Sequence, residues 1–348
     1  MIYRLDPTKD ARWAEFLAHH PKASVFHSVG WLQALQSTYG YEPMVFTTSP
    51  ATEELKNGLA VCLVESYITG RRFVSLPFSD HCEPLCDSKE ESDDLIRNFR
   101  EALENQNLKY VEVRPTDDNF SETLRQNKFQ PVTKSFLHTL SLLPDLPELF
   151  RGLDKDCVQR RIRRAERAHL VERCGRSEEL LKDFYGLFTL TRGRHQLPPT
   201  PYAWFRNLVL CQGEALEIRM AYKDETPISA ILTIRFKETV YYKYGCSDAR
   251  FNQFGATSWL FWNAIVAAKT RNATKFDFGR TEEDNAGLLA FKNHWAPGPQ
   301  SLIYWRYPTG SSLVSVTGWK LKMAKRLFSC LPNSLLNIIG HLMYRHIG

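Results

Sequence analysis

Lys292 follows Phe291 on a short predicted helix, directly after a strand ending Asp277-Phe278-Gly279, where a sheet edge opens into a cleft. A lysine placed there sets a positive charge where an oxyanion would develop during attack on an acyl carbonyl. Arg192, Arg194 and His195 close a long predicted helix ahead of Leu197-Pro198-Pro199, which stops it. The planar fork of an arginine grips two phosphate oxygens at once, and a histidine titrates close enough to neutrality to take a proton from an ammonium. The same cations would also serve as plain caps of a helix C-terminus. The stretch Arg250-Phe251-Asn252-Gln253-Phe254-Gly255-Ala256 joins a strand to a helix, where helix-start N–H groups attract anions. Arg250, Gln253, Gly255 and Ala256 are therefore the donor-binding candidates, with a structural turn as the plain alternative. Asp80 and His81 lie in a loop after a strand, a placement that favours binding. Tyr244 alternates with Tyr242 on a predicted central strand and fits a core position or the wall of a cleft.

Other constellations carry less. Cys246-Ser247-Asp248 has neither a partner histidine nor a glycine-rich elbow, so it reads as a buried structural thiol. His81, Cys82 and Cys86 lack a fourth ligand nearby, and none of the eight cysteines forms a paired CxxC, so no metal is expected and reduced thiols are. Arg160, Arg161, Arg163, Arg164 and Arg167 make a basic helix face, solvated by default. Its functional alternatives are RNA, lipid head groups or another acidic partner.

The elements needed to position these residues follow from periodicity. In the first half, helices are predicted near 9–19 and 28–38, strands at 43–48, 58–65 and 72–76, a helix at 90–106, a strand at 109–113 and a helix at 119–127. The second half opens with a strand at 136–142 and helices at 155–168, 177–194 and 201–211. Strands follow at 215–223, 228–236 and 239–245, then a helix at 256–271, a strand at 274–278, a helix at 285–294 and a strand at 301–306. Alternation in Ile228–Phe236 supports strand, and Trp259, Trp262, Ile265 and Val266 recur at helical spacing.

The halves repeat one order, and the likeness reaches the residues at a constant offset of 166. Lys109–Pro131 aligns without a gap on Lys275–Pro297, with six identities in 23 positions against roughly one or two expected from average composition. Arg114 meets Arg280, Asn119 meets Asn285 and Asn127 meets Asn293, while Gln126 stands where the second copy has Lys292. We read a duplicated domain with the chemistry in the second copy. The expected domains are 1–135, a degenerate first copy, 136–307, the catalytic copy, and a basic amphipathic tail at 308–348.

Composition agrees with two cores. The 348 residues are 43% hydrophobic and 24% charged, which excludes collagen, coiled coils and disordered chains. The net charge of +6 is concentrated at the end: Gly318–Gly348 holds Lys320, Lys322, Lys325, Arg326 and Arg345 and no acid. The near-neutral remainder is no general DNA binder. Apolar residues on both sides of Pro332 are too few to span a bilayer, so the tail is expected to lie on an anionic membrane surface, with packing on the second domain as the alternative. With no signal sequence visible, the expected location is cytoplasmic, peripheral at the inner face of the cytoplasmic membrane.

A meander followed by helix, strand and helix resembles the GNAT acyltransferase fold, and two in tandem resemble the Fem family. The resemblance rests on His27-Ser28-Val29-Gly30-Trp31, Leu76-Pro77-Phe78-Ser79-Asp80, Ile162-Arg163-Arg164-Ala165-Glu166, Phe276-Asp277-Phe278-Gly279-Arg280 and Ala290-Phe291-Lys292-Asn293-His294-Trp295. It covers about residues 1–307 and is most similar to the GNAT-like subgroup found in bacterial envelope-polysaccharide and lipid gene sets. The implied fold class is α/β (α+β): two tandem GNAT-like domains with mixed, largely antiparallel sheets flanked by helices. Phe291-Lys292 matches the Fem Phe-Lys pair, whose lysine contacts the reacting acyl ester, and Arg194 best matches an arginine that binds acceptor phosphate. Against the GNAT pyrophosphate loop, Arg/Gln-x-x-Gly-x-Gly/Ala, the chain offers Asn252, Gly255 and Thr257. Leu35 stands where Fem enzymes acting on nucleotide-linked precursors carry a phosphate-binding lysine, and the coiled-coil arm of some relatives is missing.

The resemblance thus implies an N-acyltransferase acting on an amine of a cell-envelope precursor or lipid: an amino sugar, glycolipid, wall precursor or membrane lipid. The expected donor substrate is acyl-CoA or acyl carrier protein, with aminoacyl-tRNA as the alternative and no tightly bound cofactor. Two other functions stay open: a Fem-type aminoacyl-tRNA-dependent transferase and a non-catalytic glycolipid-binding module of envelope assembly.

Overall fold

The computed structural model describes residues 1–67, 70–104, 106–308, 340 and 343–346. The basic amphipathic tail expected at 308–348 falls outside the described residues except at Pro308, Gly340 and 343–346. The chain divides into two compact units, 1–135 with 301–308 and 343–346, and 136–300 with Gly340.

The first unit runs β1 (Tyr3–Leu5), α1 (Ala11–His19), α2 (Val29–Tyr39), β2 (Glu42–Thr47), β3 (Leu59–Val64), β4 (Arg72–Val74), α3 (Lys89–Leu103), β5 (Tyr110–Val113), α4 (Asp118–Gln126) and the start of β6 (Gln130–Ser141). Local chemistry sets the helix limits. Asp10, Ser28 and Ser88 accept backbone N–H groups at the starts of α1, α2 and α3, and Gly40, at φ +70°, ends α2 in the left-handed region.

The second unit takes the rest of β6, α5 (Leu146–Gly152), a π-helical turn at Lys155–Gln159, α6 (Arg160–Arg167), β7 (Val171–Gly175), α7 (Glu178–Arg194) and α8 (Tyr202–Gln212). It continues through β8 (Leu216–Lys223), β9 (Thr226–Phe236), β10 (Thr239–Ser247), α9 (Ala256–Thr270), β11 (Lys275–Glu282) and α10 (Ala286–Asn293), and the chain then enters β12 (Gln300–Tyr307).

The strands of each unit follow one plan. In the first unit the order is β1-β2-β3-β4-β5-β12, antiparallel except for the pair β4–β5, where Arg72–Val74 lies parallel to Tyr110–Glu112. In the second unit the order is β7-β8-β9-β10-β11-β6, with its parallel pair at β10–β11. Buried aromatics from strands and helices together hold each core: Phe46, Phe73, Phe99 and Trp305 in one, Phe261, Phe276, Phe278 and Trp295 in the other.

One element departs from the expected division. The strand at 301–306, assigned from sequence to the second domain, belongs to the first unit, where Trp305–Tyr307 runs antiparallel to Val111–Val113. The strand set of the first unit is therefore completed from the far end of the sequence. The reason is local: β5 has an open edge, Trp305 is fully buried in the first core, and Arg306 Nε donates to the buried Glu112 carboxylate at 2.7 Å.

Candidate active site

In the second unit β10 and β11 stay paired for three residues and then part. Thr239, Val240 and Tyr241 face Lys275, Phe276 and Asp277, while β10 continues to Ser247 and β11 to Glu282. Both strands carry a device that separates them. On β10 the register with β9 shifts between Tyr242 and Tyr244, a bulge that adds local twist. On β11 the Asp277 carboxylate accepts the N–H of Gly279 at 2.6 Å, and Gly279 sits at φ +73°, a conformation that favours glycine.

Lys292 braces this kink. Its Nζ donates to the carbonyls of Gly279 at 2.8 Å and Arg280 at 2.9 Å, and the residue is 2% exposed. Lysine is ordinarily exposed; this one is not. An ammonium so buried is tolerated because carbonyl dipoles replace water. Beside it stands His138 on β6, a residue that carried no expectation from sequence. Its Nε2 meets Asn293 Oδ1 at 2.9 Å, and its Nδ1 is buried with no hydrogen-bond partner. Burial holds this imidazole below its ordinary pKa, and the Lys292 charge adds to the effect. The strand Gln130–Ser141 mixes polar and apolar residues without a clean period, so one more polar side chain at 138 carried no local signal.

Past the end of β10, Asp248 and the turn Ala249–Phe254 lead into α9. A cavity of about 320 Å³ lies there, with Ser247, Gly255, Ala256 and Phe291 among its lining residues. Arg161 and Arg164 of α6 also line it, and neither had been singled out as a site residue. Gly255 is at φ +74°, and a Cβ there would stand 2.4 Å from the Arg161 carbonyl oxygen, so only glycine lets α6 approach the loop so closely. Arg164 donates to the Gln253 carbonyl at 3.1 Å and ties the two segments together.

The remaining candidates distribute unevenly. Arg250 is not among the residues lining the cavity but grips Asp248, which is, with Nε and one terminal nitrogen at 2.9 and 2.6 Å from Oδ2, while Gln253 gives its carbonyl to Arg164. Arg194 is exposed and reaches the Ser247 carbonyl at 3.3 Å, beside the cavity wall. Arg192 donates from Nε and a terminal nitrogen to the Pro198 carbonyl at 3.1 and 3.0 Å, so its guanidinium closes the turn after α7. His195 caps α7 and is exposed. Tyr244 accepts the Trp204 indole N–H at 2.8 Å and packs on Phe188 and Phe205, while Phe291 packs on Phe261. Asp80 and His81 belong to the first unit. There the Asp80 carbonyl takes the Tyr304 hydroxyl at 2.7 Å, and the buried His81 ring stands edge-on to Phe26.

The first unit fills the equivalent region differently. Arg114, aligned with Arg280, donates to the carbonyls of Leu76 at 2.9 Å and Ser79 at 3.0 Å. Its guanidinium also lies 4.7 Å over the Tyr304 ring and bonds Glu112, which Arg306 holds from the other side. Although burial pushes the Glu112 pKa up, these two guanidiniums prevail and hold it below the usual carboxylate range. Gln126, in the place of Lys292, is exposed and bonds Glu122.

Comparison with known proteins bears on the whole arrangement. Residues 156–293 match the Acetyltransf_6 family model, described as an acetyltransferase (GNAT) domain. No curated protein sequence matches the chain. Among solved structures, FemX superposes with a TM-score of 0.70 at 13% identity, over 88% of this chain and 97% of FemX. A protein described as a lysylphosphatidylglycerol synthetase of Agrobacterium fabrum gives 0.58 for its C-terminal domain, at 12% identity over 92% and 94% of the two chains. A tandem GNAT protein from the clavulanic acid biosynthesis pathway gives 0.57 at 11% identity, over 90% and 99%. With its parted parallel strands, the loop leading into α9 and the family match over the same residues, the second unit carries a GNAT acetyltransferase domain, and the chain shares the tandem-GNAT fold seen in FemX.

Proposed function

We propose that this acyltransferase acylates an amine carried by a cell-envelope precursor or lipid, from a thioester donor. The observation that carries the reading is the cavity at the start of α9, with Arg161 and Arg164 on its wall and Phe291, next to Lys292, at its edge. Helix-start N–H groups and two guanidiniums suit the phosphates of an acyl-CoA or of a carrier-protein arm. The acyl end then points to the parted strands. A neutral amine attacks the acyl carbonyl, the C–N bond forms, and the carbonyl oxygen takes up negative charge that Lys292 stabilises. The C–S bond breaks as that charge returns. The proton released by the new ammonium passes to His195, and the thiolate leaves to be protonated in turn. Arg194 binds acceptor phosphate. Within the second unit Tyr244 stays assigned to the acceptor, and Arg250 and Gln253 to the donor side through the loop they shape.

A Fem-type aminoacyl-tRNA donor is the second reading, favoured by the fold shared with FemX and by the mostly exposed arginines of α6. For this donor a C–O ester bond breaks in place of C–S. The deciding assay supplies the full-length protein with an envelope lipid extract and, separately, acyl-CoA, acyl carrier protein and aminoacyl-tRNA. Release of free thiol with a mass-shifted amine product supports the thioester reading, and tRNA deacylation with an aminoacylated product supports the other. Retained glycolipid without turnover in any arm would make the chain a binding module.

Membrane association through the basic tail belongs to the same proposal, because the acceptor is a lipid or lipid-linked group. Among the described residues no helix is long and apolar enough to cross a membrane. Anionic liposomes should retain the full-length chain and release one ending at Ser312, and high salt should weaken the retention. Equal binding by both would remove the anchor.

A further inference from the structure

Away from the cavity lining, the entry to α6 and the end of α10 bring three side chains of different chemistry together. A ligand atom from each of Asp154, Cys157 and His294 lies within 4.8 Å of the other two, and all three residues are partly buried. Asp154 caps the π-helical turn: Oδ1 accepts the N–H groups of Asp156 at 3.0 Å and Cys157 at 2.6 Å. Its other oxygen, Oδ2, stands 3.2 Å from His294 Nδ1. The backbone repeats the link, since the Asp154 N–H donates to the His294 carbonyl at 3.3 Å. A carboxylate fixed on one oxygen by two backbone donors presents the other in a set direction, as outer hydrogen bonds do for metal ligands.

We propose that Asp154, Cys157 and His294 bind one divalent cation of the zinc class, with water in the fourth position. The ligand set decides the class. One thiolate, one imidazole and one carboxylate suit Zn²⁺, whereas Ca²⁺ and Mg²⁺ call for six or more oxygens. Tetrahedral bond lengths of about 2.0–2.3 Å place the ligand atoms roughly 3.3–3.6 Å apart. The Asp154–His294 pair, at 3.2 Å, is already close to that spacing, and the Cys157 sulfur lies within 4.8 Å of both. Cys82 with His27 makes an instructive contrast, its sulfur being 3.3 Å from the imidazole. There both ring nitrogens are taken, Nδ1 by Ser24 and Nε2 by the Glu83 carbonyl. A cation at Asp154 would clamp the start of the arginine-rich segment to the helix that carries Lys292, and so fix the end of α10.

Full-length protein stripped with chelator is titrated with Zn²⁺ by calorimetry and with Co²⁺ by absorption spectroscopy. One cation should bind per chain, with a thiolate-to-Co²⁺ charge-transfer band, and Zn²⁺ should raise the melting temperature. Cys157→Ser should abolish the band, and both Cys157→Ser and His294→Gln should weaken Zn²⁺ at least tenfold while matching the metal-free wild type in unfolding. Cys174→Ser and Cys211→Ser, at thiols outside the cluster, should change nothing. The absence of saturable binding overturns the proposal. So does binding that survives both Cys157→Ser and His294→Gln, or that is lost with Cys174→Ser or Cys211→Ser.

Discussion

At the scale of single residues, Lys292 joins two duties that its position in the sequence did not separate. Its ammonium holds the Gly279 and Arg280 carbonyls and carries the charge assigned to the oxyanion. Lys292→Met keeps much of the stem and removes both. Turnover should fall by ~10²–10³ once the donor is known, and two carbonyls left without their donor should lower stability by about 1–3 kcal/mol. Gln126→Met, at the exposed equivalent in the first unit, should leave turnover intact and stability within about 0.5 kcal/mol. Equal turnover in both variants would take the chemistry away from Lys292. A second residue sets an acid limit on the fold. His27 is fully buried, and that burial depresses its pKa from 6.5 to about 4. Above pH 6.5 the imidazole is neutral both folded and unfolded, and stability is full. Between 6.5 and 4 only the unfolded chain takes up the proton, so stability falls with pH, by on the order of 3 kcal/mol across the window. Denaturant unfolding at pH 7.5 and 4.5 should show the loss, and a His27→Gln variant should show less of it. The same slope in both would clear His27.

Among elements, those with a strong period were legible from the residues and those without one were not. Ile228–Phe236 alternates and forms most of β9, and the Trp259 to Val266 spacing forms α9. The strand β7 was missed because Val-Glu-Arg-Cys-Gly shows no apolar alternation: it is an edge strand held by pairing with β8 and by Arg219 to Glu172. The short helix α5 did carry a signal in Asp145, its cap, followed by Pro147 and Glu148 in the first turn. Of the site, Gly255, Ala256 and Phe291 were found at one cavity because the loop before a helix is readable, whereas Arg161 and Arg164 reach it only through the packing of α6 on α9. Two glycines test this packing. Gly255→Ala combines a left-handed φ with a Cβ 2.4 Å from backbone and should cost about 1–3 kcal/mol or more, loosening α6. Gly287→Ala, in the first turn of α10 with nothing within 4 Å of the new methyl, should stabilise by up to about 1 kcal/mol. Melting temperatures of the two variants should move in opposite directions, and a neutral Gly255→Ala would show that α6 does not need so close an approach.

For the molecule as a whole, the last strand decides what a functional piece is. A repeat detected at a constant offset invites a cut at its boundary, yet residues 301–308 pair with β5 in the first unit, and 136–141 of β6 neighbour β11 in the second. A fragment 1–135 would expose the edge of β5 and leave the buried Glu112 without Arg306, one of the two guanidiniums that hold it charged. It would also open the core where Trp305 sits. Losing one partner of a buried ion pair typically costs about 3–5 kcal/mol, and removing a buried tryptophan side chain about as much again. Together these match much of the usual stability of a small domain, roughly 5–15 kcal/mol. The fragment should therefore fail to unfold cooperatively, and a peptide spanning 300–308, added in trans, should restore part of the transition. A peptide with Arg306→Ala and Trp305→Ala should not. Cooperative unfolding of 1–135 alone, with an unchanged midpoint on adding the peptide, would show that the first unit holds its fold without β12 and that the sequence boundary was also the folding boundary.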